Sequence, residues 1–88
     1  MEYIMKSLII EDDYITSQVM QEILLSFGEA DVAENGFKGL ELFTTALVDN
    51  KKYTLLEIDK NNNFLCRLCI CREENITIID HSTIINHN

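Results

Sequence analysis

The order in which apolar runs and amphipathic helical segments alternate is the feature of this sequence that most limits its fold. A continuous apolar run, Leu8-Ile9-Ile10, stops at three acids, Glu11-Asp12-Asp13. A run that is apolar throughout is typical of a strand buried on both faces. Two further strand candidates alternate with two amphipathic segments, and such alternation predicts parallel strands joined by right-handed crossovers. The sequence therefore predicts an α/β fold with a β-α-β-α-β parallel sheet.

Cap and turn signals give approximate bounds for these elements. In order, they are a strand at 6–10, a helix at 14–27, a strand at 30–33, a helix at 37–48 and a strand at 53–58. Asp13 suits the N-cap of the first helix, and Gly28 suits its C-terminal stop. The apolar stripe expected to face the core in this helix is Ile15, Val19, Ile23 and Phe27, with Met20 and Leu24 beside it.

The length and charge of the chain exclude several classes of protein. Its 88 residues suit one domain, and a domain of this size buries only about 60–65% of its unfolded surface. The net charge of −8 disfavours binding to nucleic acids and to anionic membranes. With no apolar run near the ~20 residues of a membrane span and no signal peptide, we expect a cytoplasmic protein.

Acidic residues follow two of the predicted strands. Ligands bind at the carboxyl ends of the strands in open parallel sheets, where the first strand is followed by Glu11 and Asp12 and the third by Asp59. Clustered carboxylates attract a hard cation such as Mg²⁺, and a carboxylate beside such an ion can act as a nucleophile. Alternatively, residues 11–13 only cap the first helix. Spacing alone leaves both interpretations open.

Three segments resemble, in order, the receiver domain of two-component signalling. Ser7-Leu8-Ile9-Ile10-Glu11-Asp12-Asp13 resembles its first strand and acidic pair, and Ala33-Glu34-Asn35-Gly36-Phe37-Lys38-Gly39-Leu40 resembles its second-strand exit and second-helix start. Tyr53-Thr54-Leu55-Leu56-Glu57-Ile58-Asp59 resembles its third strand, which ends at the phosphoacceptor. Residues 6–59, about two-thirds of the chain, carry the resemblance.

The resemblance implies a flavodoxin-like fold and a signalling function rather than an enzyme. Asp59 would be the residue phosphorylated by a histidine kinase or phosphotransfer protein. Glu11 and Asp12 would bind Mg²⁺ together with Asp59 and the backbone carbonyl of Asn61. Asp13 falls one place beyond the acidic pair and suits a helix cap. Residues 1–59 would then form a receiver-like half domain whose output is contact with other proteins.

Residues 60–88 depart from the family pattern. The loop Lys60-Asn61-Asn62-Asn63-Phe64 lacks the family's proline, and no lysine follows Lys60. Residues 64–71 and 76–79 suggest a strand hairpin, and residues 76–83 only faintly resemble a fourth strand ending in Ser or Thr. We therefore expect a truncated receiver with an atypical tail. Its open sheet edge and marginal core predict a homo-oligomer, paired through the tail or that edge.

Two alternative functions remain open from the sequence. A pseudo-receiver would act as an unphosphorylated interaction or oligomerisation module, consistent with the missing lysine and the altered loop. Cys66, Cys69 and Cys71, with His81 and His87 downstream, suggest a zinc site. Strong zinc signals have two closely spaced ligand pairs, so buried, reduced structural cysteines are the favoured interpretation.

Overall fold

The computed structural model describes residues 5–58 and 77–79 of the chain. Its elements are β1 (Met5–Ile10), α1 (Tyr14–Leu25), β2 (Gly28–Ala33), α2 (Gly36–Val48), β3 (Leu55–Ile58) and β4 (Thr77–Ile79). The predicted alternation of strands and helices is confirmed. Five of the ten predicted bounds shift by one or two residues, and the other five are unchanged. Neither described helix is long and apolar enough to cross a membrane.

The described strands form one four-stranded sheet in the order β2-β1-β3-β4, and all three pairings are parallel. Ile10, the last residue of β1, is in register with Ala33 of β2 and with Ile58 of β3. The chain therefore moves outward from β1 to β2, then returns past β1 to β3. This architecture is compatible with a flavodoxin-like fold, in which the strand order reverses beside the first strand.

Hydrophobic residues of β1 alternate between two cores, one on each face of the sheet. Leu8 and Ile10 belong to the larger core, which also contains Phe43 and Ala46 of α2. Ile9 belongs to the smaller core, where Met20 and Leu24 of α1, together with Ala30, pack against it. Because both faces of β1 are covered, its apolar run is continuous, as the sequence suggested.

The buried face of α1 differs from the predicted one. Ser17, Met20 and Leu24 are buried, whereas Ile15 and Phe27 are 73% and 58% exposed. The expected stripe has helical spacing, but helical spacing does not say which of two neighbouring faces meets the sheet. The helix also ends before Phe27, at Leu25, so the assignment of Gly28 as its stop was wrong. Gly28 instead begins β2.

Gly39 lies inside α2 and has a packing role. Helix propensity alone treats an internal glycine as a weak point of α2. The residue is buried, and a Cβ atom added to it would lie 2.4 Å from Cδ1 of Ile10. Ile10 is completely buried and has little room to move. The glycine therefore permits the close approach of α2 to β1.

Tyr53 anchors the segment that enters β3. Its ring stacks on Phe43 at a centroid distance of 6.4 Å, and the ammonium of Lys6 lies 4.8 Å from the ring centroid. Its hydroxyl donates a 2.6 Å hydrogen bond to Oδ2 of Asp31. Burial, followed by this hydrogen bond and the charge of Asp31, raises the pKa of Tyr53 well above its usual value. The phenol is therefore neutral, and it joins β2 to the larger core.

The short strand β4 is the described part of the tail. Leu55, Leu56 and Glu57 of β3 are in parallel register with Thr77, Ile78 and Ile79. The strand therefore extends the sheet on the far side of β3, and Ile78 packs against the larger core. Residues 64–71 lie outside the described part of the chain, so their pairing with β4 in a hairpin stays a prediction.

Candidate functional site

The carboxyl ends of β1, β2 and β3 lie at one edge of the sheet, termed here the carboxyl edge. Ile10, the last residue of β1, is in register with the last residues of both neighbouring strands, Ala33 and Ile58. Both crossovers leave from this edge, α1 toward the smaller core and α2 toward the larger one. Between β1 and β3 the covering helix therefore changes face, which is where open α/β sheets bind ligands.

Glu11 is held at this edge by backbone hydrogen bonds. Its amide donates to the carbonyl oxygen of Ala33 at 3.0 Å, which continues the β1–β2 pairing by one residue. Its Oε1 accepts a 3.2 Å hydrogen bond from the amide of Asp13. Only 8% of the residue is exposed, so its carboxylate lies at the end of the buried strand rather than free on the surface.

Asp13 has a separate task, the capping of α1. Its side chain accepts hydrogen bonds from the amide of Thr16, at 2.8 Å, and from the Thr16 hydroxyl. The hydroxyl and amide of Thr16, in that order, lower the pKa of the Asp13 carboxyl. The predicted N-cap is confirmed. Capping of α1 therefore accounts for the side chain of Asp13.

Asp12 completes the acidic pair that follows β1. It is exposed, and it lies between the buried Glu11 and the helix cap. The carboxyl edge thus offers one carboxylate set into the end of the sheet and one open to solvent.

No protein-family model matches this sequence, and no curated protein matches it significantly.

The donor set at the carboxyl edge suits a hard divalent cation. Mg²⁺ prefers oxygen ligands and is usually held by one or two protein carboxylates, with waters and phosphate oxygens completing the shell. Glu11 and Asp12 supply two carboxylates on consecutive residues. Within residues 5–58 and 77–79, no group of three His, Cys, Asp or Glu side chains is arranged to hold a metal ion.

The other predicted site residues lie outside the described part of the chain. They are Asp59 and Asn61 of the proposed phosphorylation site and Cys66, Cys69, Cys71, His81 and His87 of the zinc alternative. Ile58, which precedes Asp59 in the sequence, is within the described residues and is almost completely buried. It is in register with Ile10, the residue before Glu11.

The start of α2 contributes further polar groups to the same edge. Asn35 follows β2 after one residue, and its Oδ1 accepts a 2.8 Å hydrogen bond from the amide of Lys38. The ammonium of Lys38 pairs with Glu41 at 2.9 Å on the exposed face of the helix. The side chain of Asn35 therefore caps the start of α2.

Glu57 was not singled out from the sequence, although it is completely buried. It is in register with Ile9, so it faces the same side of the sheet as α1 and points away from the larger core. Its signal was an acid inside the otherwise apolar strand Leu55–Ile58. A carboxyl group buried in a central strand is unusual. Glu57 and Glu11 are thus two buried acids near the boundary between β1 and β3.

Proposed function

We propose that the chain is a receiver of two-component signalling that is phosphorylated on Asp59. The observation that carries the proposal is the parallel, adjacent placement of β1 and β3, with Ile10 in register with Ile58. The residues that follow these two strands in the sequence are Glu11 and Asp59. A buried carboxylate after one strand and an aspartate directly after the neighbouring strand give the acid pair that the chemistry requires.

The proposed reaction transfers a phosphoryl group to a carboxylate oxygen. An oxygen of Asp59 attacks the phosphorus of a phosphohistidine on a histidine kinase or phosphotransfer protein. The phosphorus–nitrogen bond breaks, its electron pair returns to the imidazole, and an acyl phosphate remains on Asp59. The phosphoryl group carries about two negative charges. A positive charge is therefore needed to offset its repulsion from the neighbouring carboxylates.

Glu11 and Asp12 are the described residues that would hold Mg²⁺ for this reaction. A bound Mg²⁺ ion would neutralise charge on the phosphoryl oxygens. The hydrogen bond from the Asp13 amide orients the carboxylate of Glu11, and the parallel pairing with β2 fixes its backbone. The sheet therefore restricts the position of one ligand, while Asp12 is free to adjust.

Phosphorylation by a small donor tests this function without knowledge of the cognate kinase. We expect the chain, incubated with acetyl phosphate and Mg²⁺, to gain the mass of a single phosphoryl group in intact-mass measurements. The gain should depend on Mg²⁺, and it should be absent in Asp59→Asn, which keeps the size of the side chain but loses its nucleophilic carboxylate. Asp49→Asn, at the end of α2, is the matched control and should behave like the unaltered chain.

A folded chain that gains no phosphoryl group would contradict the proposed reaction. The same would hold if Asp59→Asn were labelled as rapidly as the Asp49→Asn control. Circular dichroism of each variant separates these outcomes from loss of the fold.

A second candidate function is an unphosphorylated interaction module. It is favoured by the exposed apolar residues of α1, since Tyr14 and Ile15 are 74% and 73% exposed and Val19 is 43% exposed. Exposed apolar side chains grouped on one helix are typical of a contact surface for another protein. A homo-oligomer paired through the tail or the sheet edge belongs to the same proposal. A failed phosphorylation assay with a folded chain would favour this module.

A further inference from the structure

The solvent side of α1 carries a row of apolar residues, termed here the outer stripe. It consists of Ile15, Val19, Ile23 and Phe27, which follow one another at intervals of four residues. Residues at this interval lie along one side of a helix. Ile15, Val19 and Phe27 are exposed, and Ile23 is partly buried. The helix therefore has one apolar side toward the smaller core and a second apolar side toward solvent.

The charged residues around the outer stripe are all negative. Residues 7–37, which include α1 and most of the two strands that flank it in sequence, contain no Lys or Arg. The acids of this segment are Glu11, Asp12, Asp13, Glu22, Glu29, Asp31 and Glu34. Glu22 is exposed and lies three residues after Val19, on the same side of the helix. Asp12 is exposed before the helix and Glu29 after it, so acids border the stripe along its length and at both ends.

The described lysines lie elsewhere on the molecule. Lys6 lies over the ring of Tyr53, which belongs to the larger core on the other face of the sheet. Lys38 lies on α2, the helix that packs on that larger core. Lys51 and Lys52 belong to the exposed loop that follows α2. Among the described residues, the negative charge beside the outer stripe is therefore not offset by a lysine of α1 or of its flanking segments.

Charge decides which kind of surface suits the outer stripe. A second copy of the chain, paired through the same patch on both molecules, would bring the acids around the stripe against one another, and like charges across an interface are unfavourable. Nucleic acids and anionic membranes would be repelled in the same way. An apolar surface bordered by positive charges is complementary both to the stripe and to the acids around it.

We propose that the outer stripe of α1 binds a basic amphipathic helix of another protein. Apolar side chains of the partner helix pack against Ile15 and Val19, since rows of side chains at helical spacing interdigitate when two helices meet. Lysine or arginine residues beside that apolar row contact Glu22 and Asp12. The inference goes beyond phosphoryl transfer and does not require it, and it names the chemistry of the partner for the interaction module.

Binding of a synthetic helix to the full, unphosphorylated chain tests the inference. The probe is a fluorescent peptide of about five helical turns, with leucine on one side and lysine on the other. A second peptide has glutamate in place of every lysine. We expect the lysine peptide to bind saturably in fluorescence anisotropy, more weakly as salt is added, and the glutamate peptide not to bind. Equal binding of both peptides, or no saturable binding of the lysine peptide, would overturn the inference.

Matched variants on the two helices locate the binding surface. Val19→Gln should weaken binding of the lysine peptide about five- to tenfold. Val48→Gln is the same change at an exposed position of α2 and should stay within about twofold of the unaltered chain. Glu22→Gln should weaken binding about threefold and reduce its salt dependence, and Glu41→Gln on α2 should have the smaller effect on both. Equal effects of the α1 and α2 variants would contradict the proposed surface.

Two further measurements distinguish other occupants of the outer stripe. We expect Ile15→Gln and Val48→Gln to have the same mass in sedimentation equilibrium and the same midpoint of urea unfolding. A dimer that only Ile15→Gln dissociates would make a second copy the occupant, and a lower midpoint for Ile15→Gln alone would make it a segment of this chain. Either result would overturn the inference. Because the binding assay contains no phosphodonor, its outcome is independent of the test for phosphorylation of Asp59.

Discussion

Phe43→Ala is expected to lower the free energy of unfolding by about 3–5 kcal/mol, the usual cost of removing a buried aromatic ring. Phe43 is only 4% exposed, belongs to the larger core and stacks on Tyr53. Because small domains are stable by only about 5–15 kcal/mol, this one change would remove a large share of the total. Urea unfolding followed by circular dichroism measures the effect.

Phe37→Ala is the matched control for this prediction. Phe37 lies on the same helix and is 88% exposed, so the same change of side chain removes almost no buried surface. We expect its free energy of unfolding to stay within about 0.5 kcal/mol of the unaltered chain. Similar losses in both variants would contradict the assignment of the buried face of α2.

Gly28→Ala should be the second most damaging change, with an expected cost of about 3 kcal/mol or more. Gly28 has a φ of +151°, a conformation that residues with a Cβ atom rarely adopt. A Cβ atom would lie 2.0 Å from the carbonyl oxygen of Met5. Met5 is in register with Gly28 at the start of the β1–β2 pair, so relief of this contact would require the two strands to separate.

Chemical unfolding again provides the measurement, with Glu29→Ala as the control. Glu29 is the next residue of β2 and is exposed, so truncating it tests the strand without crowding β1. The control should change stability by no more than about 0.5 kcal/mol. A Gly28→Ala variant as stable as Glu29→Ala would show that the start of β2 tolerates a side chain and would contradict this packing.

The strand and helix pattern was predictable because it depends on local periodicity. The run Leu8-Ile9-Ile10 indicated a strand covered on both faces, and the two cores confirm it. The buried side of α1 was not predictable in the same way. Ile15 and Met20 both lie on apolar helical positions, and only the packing of the helix on β1 and β2 decides that Met20 is buried.

Acids that follow a strand were recognised from the sequence, whereas the buried acid inside a strand was missed. Asp13 carried a cap signal, and its bonds to Thr16 confirm it. The burial of Glu11 depends on the continued pairing of its backbone with Ala33, which no local pattern encodes. Glu57 was missed because its burial follows from its neighbours across the sheet, Ile9 and Ile79, rather than from its own sequence context.

The location of the phosphoryl group is the most direct test of the central claim, that the carboxyl edge accepts phosphate on Asp59. The chain would be treated with acetyl phosphate and Mg²⁺ and then reduced with borohydride, which cleaves an acyl phosphate and converts its carboxyl carbon to an alcohol. Peptide mass spectrometry would then identify the altered residue. We predict reduction of Asp59 alone. Reduction at Glu11, Asp12 or Glu57 instead, or at no residue of a folded chain, would contradict the account.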